Sequence, residues 1–270
     1  MPETPGRQTE GSDVSVSDAL GRNALGWIDA CRLVAGRELR AYFDSPIAYI
    51  YAAVFLVSSG SAFMNAFFLE AVLDMASWFE RLPYLLIFFA PAMTMRSWAE
   101  EHAQGTVEIL LTLPLRSAQI VVGKFIAALL FYGIVIAGSL PILVMLLRLG
   151  PADVGMILTG YVGAMCLGAF FLAFGQFVSS LTHNQIVAFV LAALLACLFI
   201  FSGHPQVVEI IDGLAPGWEP GSWLAASLSV VPHYESFVAG IIGVGPLLYF
   251  ASMVALFLWL TEIGLRRVRL

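Results

Sequence analysis

The chain has 270 residues, 60% of them hydrophobic and 12% charged, where a soluble globular domain is about half apolar and a quarter charged. That composition excludes an ordinary soluble enzyme and points to an all-α integral membrane protein. The formal net charge is -6, and the absence of a basic patch excludes nucleic acid as a partner.

Residues 1–19 are rich in Ser, Glu, Asp, Gly and Thr without an apolar period, which predicts a disordered cytoplasmic tail. No apolar run ahead of a cleavage site precedes Arg40, so no secretory signal is evident. From residue 20 the pattern changes. Leu20, Ala24, Trp27, Ile28, Cys31, Val34 and Ala35 recur at helical spacing, while Arg22, Asp29, Arg32, Arg37 and Glu38 lie off that stripe. This predicts an amphipathic interface helix over 20–44, lying along the inner membrane face; a helix packed on the protein itself is the alternative.

Asp44 or Ser45 is placed to cap the next helix, and Pro46 suits its first turn. Apolar runs of about 20 residues, enough to cross roughly 30 Å of hydrocarbon, then define six candidate spans over 45–270. They are Pro46 to Phe68, Trp78 to Arg96, Ile120 to Leu147, Val154 to Val178, Gln185 to Phe201 and Gly245 to Ile263. In the fourth, Gly160, Ala164 and Gly168 form a small-residue ridge suited to close helix packing. Between the fifth and sixth, prolines at 205, 216, 220 and 232 separate apolar pieces too short to cross a bilayer. These predict re-entrant half-helices in the outer leaflet, with a plain outer loop as the alternative. Cys31, Cys166 and Cys197 show no disulfide or metal spacing and read as small core residues.

Lys and Arg set the orientation. With both termini cytoplasmic, eleven of them fall inside and only Arg81 and Arg148 outside, as the positive-inside rule requires. Catalytic signatures are missing. "VVGKF" has the Gly-Lys pair of a phosphate loop but neither its upstream Gly nor its Ser or Thr. No HExxH or GxSxG is present, and the four His are far apart in sequence. The spans are nearly free of ionisable groups, which disfavours an ion-coupled transporter. Energy for any transport must then come from another subunit.

One stretch between the second and third spans gathers charge: "SWAEEHAQGTVEILLTLPLRSAQIVVGK", Ser97 to Lys124. Gly105 is placed to break the helix leaving the second span, Thr106 to cap a new one, Glu108 to sit in its first turn, and Pro114 to end it. Val107, Leu110, Leu111 and Leu113 would make an exposed apolar ridge, which suits a docking knob better than a loop.

The pattern of Glu100, Glu101, Gly105, Thr106, Glu108, Leu110, Leu111, Leu113, Pro114, Gly123 and Lys124 resembles that of the ABC-2 type membrane subunits of ATP-driven exporters. The segment "VVPHYESFVAGIIGVGPLLYF", Val230 to Phe250, is similar to their gliding-motility (GldF-like) branch, although Gly243, Gly245 and Pro246 replace that branch's usual charged residues. The resemblance implies a permease of the bacterial cytoplasmic membrane. It implies a separate ABC ATP-binding subunit that carries the ATP and Mg, since the chain itself binds no cofactor or metal. It also implies a second permease copy, identical or related, and in this branch a membrane-anchored partner with a large outer domain (GldG-like). Glu100, Glu101, Gly105, Thr106, Glu108, Leu110 and Leu111 would dock the ATPase through a coupling helix, while Trp27, Arg32, Arg37 and Glu38 mark the interface helix and Gly160, Ala164 and Gly168 the packing ridge. Two rivals stand beside this: a membrane subunit that transmits force to an outer partner or to lipid, and a scaffold with no ATPase. Haem export lacks a supporting His pair or outer Trp-rich motif.

Overall fold

The computed structural model describes residues 26–70, 74–106, 115–150, 153–214 and 220–268, and contains no strand among them. The helices are α1 (Trp27–Asp44), α2 (Pro46–Asn65), α3 (Ala76–Thr94), α4 (Ala99–Gln104), α5 (Ser117–Ala137), α6 (Leu140–Leu149), α7 (Val154–Ser180), α8 (Gln185–Phe201), α9 (Pro205–Leu214), α10 (Pro220–Leu228), α11 (Val231–Val238) and α12 (Val244–Val268). A π-helical turn, Ala66–Glu70, prolongs α2.

Four stretches are long and apolar enough to cross a membrane: Pro46–Leu69, Ser117–Leu149, Val154–Ser180 and Val244–Arg266. A fifth is reached if α8 and α9, bent by 85° at the break between them, count as one span. The protein is thus a multi-pass membrane protein. α3 falls outside this group because Glu80 and Arg81 sit in its second turn, lowering its apolar character. α3 is nonetheless central, burying Trp78, Phe79, Leu82, Leu86 and Ile87.

Two prolines lie inside α3, at 83 and 91. Proline has no N–H, so the carbonyl four residues earlier loses its helical partner. For Pro83 that carbonyl is Phe79's, and the Tyr234 hydroxyl of α11 donates to it at 3.0 Å. A helix that would otherwise leave a buried acceptor unsatisfied is thereby tied to the opposite wall of the bundle.

The small residues of α7 receive aromatic rings. A Cβ at Gly160 would stand 2.5 Å from the Phe79 ring, and one at Gly168 would fall inside the Tyr132 ring. Between them the Ala164 carbonyl accepts from the Tyr132 hydroxyl at 3.1 Å. The ridge thus brings α3 and α5 close through their side chains. Deeper along α7, Phe170 and Phe174 meet Phe199 of α8 and Phe257 of α12 edge-on, with ring centroids 5.1 to 5.9 Å apart. This geometry suits the aromatic quadrupole.

α1 does not lie free of the bundle. Cys31, Val34 and Ala35 are buried against α5, because Gly123 offers no side chain: a Cβ there would sit 2.7 Å from the Val34 Cβ. Trp27, Ile28 and Leu33 remain exposed, so the helix keeps an apolar face turned away from the protein. Arg37 pairs with Glu38 at 2.8 Å. Residues 20–25 of the expected interface helix, and the tail before them, lie outside the described residues.

Between residues 202 and 244 the described residues form α9, α10 and α11, each too short to span. Asp212 of α9 clasps the start of α10, accepting from Gly221 N at 2.6 Å and from the Ser222 hydroxyl at 2.6 Å.

Candidate functional site

α3 ends at Thr94 and the chain turns through residues 95–98 before α4 begins. One side chain fixes that turn. Ser179 Oγ, fully buried on α7, accepts from the backbone N–H of Trp98 and of Ala99 at 3.1 Å each and donates to the Met95 carbonyl at 3.0 Å. The N–H groups at the start of a helix have no internal partner, so a serine from a distant helix supplies one. Gly105 then closes α4 in the left-handed region, at φ 67°, a conformation glycine adopts without steric cost. The Thr106 hydroxyl donates back to the Glu101 carbonyl at 3.4 Å, capping the helix before it.

Behind α4 lies Lys124, in the second turn of α5, with only 4% of its side chain exposed. Its Nζ lies 2.8 Å from Glu101 Oε1 and 3.4 Å from Glu38 Oε1, and donates to the Ser97 carbonyl at 2.9 Å. It also sits 5.0 Å from the centre of the Trp98 ring, within cation–π range. One ammonium thus binds three segments: α1 through Glu38, the turn and α4 through Ser97, Trp98 and Glu101, and α5 through its own backbone. Beside it Arg96 grips Glu100 with two bonds, 2.8 and 3.2 Å. The hydrogen bonds from Arg96 hold the Glu100 carboxyl below its ordinary range. An apolar plug of Val34, Trp98, Ile120, Val121 and Leu265 underlies this charged collar.

His102, also on α4, stacks obliquely on His183 with ring centroids 5.1 Å apart. Burial, and then the neighbouring His183, push its pKa down, against a hydrogen bond to the Ser180 backbone. A lowered imidazole pKa means that the unfolded chain takes up the proton more readily than the folded one. The resulting stability is present above about pH 6.5 and is lost as pH falls through the folded value. Acidification from about pH 7.5 to about 5.5 is therefore expected to lower the thermal midpoint of the detergent-solubilised protein, and His102→Gln to flatten that slope. Glu100 contributes only at lower pH, because the hydrogen bonds from Arg96 hold its carboxyl below the ordinary carboxylate range. An equal slope in the His102→Gln protein would remove the pair from the account.

The collar assembles Glu100 and Glu101, expected to dock a partner, into intramolecular pairs, with Gly105 and Thr106 at the rim. Glu38 joins it from the interface helix; among the described residues Trp27 and Arg32 do not, and Arg37 reaches it through Glu38. Glu108, Leu110 and Leu111, with the coupling helix they were expected to build, lie outside the described residues. Sequence reasoning missed Lys124 as the centre. The available signal was a lysine within a run otherwise apolar, a placement that is costly unless partnered.

The ABC-2 family transporter protein family matches residues 61–261. The chain belongs to that family. ABC-2 proteins are membrane subunits, typically not themselves catalytic, and the family implies an ATP-binding partner subunit in general. The match takes in the collar's α3, α4 and α5 but stops short of α1, so Glu38 reaches the ABC-2 core from a segment outside the matched range. No individually curated protein matches the chain.

Proposed function

We propose that the chain is the permease subunit of an ATP-driven exporter-type complex in the bacterial cytoplasmic membrane, with six spans and both termini cytoplasmic. In this reading α3, and α8 without α9, complete the six spans, and α9 to α11 form re-entrant half-helices at the outer side. Residues 107–114 form the coupling helix, which docks a separate ATP-binding subunit.

The observation that carries the reading is the Lys124 collar. It sits immediately before residues 107–114 in the chain and ties α4 to α1 and α5. A load applied to that loop reaches two helices at once. Glu100 and Glu101 then brace the docking segment, and Glu108, Leu110 and Leu111 make the contact. The exposed apolar flanks of α2 and α12, whose span windows are 22% and 17% buried, leave room for a second permease copy and lipid. The GldF-like assignment and its outer-domain partner belong to the same proposal, with α9 to α11 as the surface such a partner would meet. Force transmission to that partner is the second reading, favoured by the same collar.

The test is co-purification of the tagged chain from its native membrane in mild detergent. A stoichiometric ATP-binding subunit is expected, and Gly105→Pro with Glu108→Arg is expected to release it, since proline cannot adopt a positive φ. Recovery of the chain alone under several gentle conditions would replace the permease reading with a scaffold.

A further inference from the structure

A cavity of about 640 Å³ opens beside the collar, between α1, α2, α3 and α8. That size suits a small amphiphile, since ligand pockets run to about 300–1,000 Å³. The two ends of the cavity differ. At one end the walls are Glu38, Arg96, Glu100, Glu101 and Lys124. At the other they are Ile50 and Val54 of α2, Phe88 of α3 and Phe189 of α8. Ile50, Val54 and Phe88 are 50 to 63% exposed, so this end opens on the flank of the bundle, where hydrocarbon would lie.

The charged end is nearly all paired. Arg37 holds Glu38 from outside the cavity, Arg96 holds Glu100, and Lys124 holds one oxygen of Glu101. Arg96 and Lys124 are both committed to pairs, whereas Glu101 Oε2 is buried with no hydrogen-bond partner among the described residues. The Tyr51 hydroxyl, farther up the same wall, is likewise buried and unpartnered among the described residues. A buried acceptor without a donor is costly. The group that best answers it is a donor carrying positive charge.

We infer that this cavity binds an amphiphile with a protonated amine at its head, seated against Glu101, and an apolar tail running out between α2, α3 and α8. An anionic head would meet the unpartnered Glu101 oxygen with both cations already paired, and an uncharged alcohol would satisfy that acceptor without a charge contact. The amine could belong to a membrane lipid with an ethanolamine head or to a free long-chain amine; both present the same ammonium. That the occupant is what the subunit moves rests on the permease reading. That the cavity binds it does not.

The full chain in phosphatidylcholine nanodiscs is titrated with radiolabelled dodecylamine, with dodecanol and dodecyl phosphate as competitors. Dodecylamine is expected to bind about tenfold more tightly than either competitor, the ratio a single well-placed charge contact supports. Glu101→Gln is expected to abolish that preference, and Ala92→Phe, which fills the cavity from α3, to abolish binding. Val54→Trp obstructs the exposed mouth without touching the core and is expected to weaken binding even if Ala92→Phe fails to fold. Displacement by lysophosphatidylethanolamine would identify the lipid source, and its failure to displace a bound amine would identify the free one. Equal binding of all three dodecyl compounds overturns the proposal. So does Val54→Cys disulfide dimer formation that added dodecylamine does not suppress, since a second copy would then fill the space. Loss of the ATP-binding subunit from co-purification would remove the permease reading and leave this result standing.

Discussion

Lys124→Met is expected to destabilise the protein by about 2–4 kcal/mol, because it leaves the Glu101 carboxylate without its cation, and Glu38 with Arg37 alone, in a partly buried site. The lysine is 4% exposed but its partners are 19% and 21% exposed, which places the effect toward the lower part of that range. Glu101→Gln alone should cost less, since Lys124 keeps Glu38 and the Ser97 carbonyl. The decisive comparison is the triple change Lys124→Met, Glu38→Gln and Glu101→Gln. It removes the stranded charges together with the cation and should recover part of the loss. The thermal midpoint in detergent reads both. A triple variant as unstable as Lys124→Met would mean that packing of the lysine stem, not charge, holds the collar. Under the proposed permease function, Lys124→Met should leave the ATP-binding subunit attached and uncouple its ATP turnover from movement of the spans.

The second large effect is expected at Gly123. Alanine there would place its methyl 2.7 Å from the Val34 Cβ and 3.2 Å from the Cys31 carbonyl. Both neighbours sit on the buried face of α1, so the helix as a whole must shift. Overpacking of this kind costs about 1–3 kcal/mol, and Gly123→Leu should push α1 off α5 altogether. Cys31 is a convenient reporter, being only 6% exposed. Its reaction with a maleimide should be slow in the parent protein and fast in Gly123→Leu. Unchanged labelling with an unchanged thermal midpoint would show that α1 is not held by this contact.

Local signals in the sequence were enough to place most helices. Pro46 begins α2 and Gly105 ends α4 because each residue's backbone preference acts on its own neighbours. The prolines after residue 201 likewise divided that region into pieces too short to span. What local pattern could not reveal was partnership across the chain. Ser179 caps a turn 81 residues away, and nothing in "VSSL" announces it. Glu101 read as an outward acidic residue because Lys124, the cation that claims it, lies 23 residues on in another helix, whereas Arg96 and Glu100 are four residues apart and their pairing was open to a local reading. Gly160 and Gly168 were legible as places of close approach. That rings rather than a helix backbone fill them depends on Phe79 and Tyr132, which sequence spacing does not link to α7. The same holds for Pro83: its orphaned carbonyl was predictable, and the tyrosine that answers it was not.

The Asp212 clasp differs from these distant ties in scale. Its carboxylate reaches only nine and ten residues along the chain, to Gly221 and Ser222, whereas Tyr234 must find Phe79 across a separation of 155. Closing a short loop carries a small entropic penalty, and contacts of low sequence separation form early. α9 and α10 can therefore pair as soon as both have been synthesised, before α12 exists, whose Tyr249 hydroxyl donates to the Leu228 carbonyl at the end of α10. The hairpin is a prefabricated piece: the last helix is laid down against a neighbour already shaped, and the slow search in this fold is left to the long-range aromatic and proline-linked contacts.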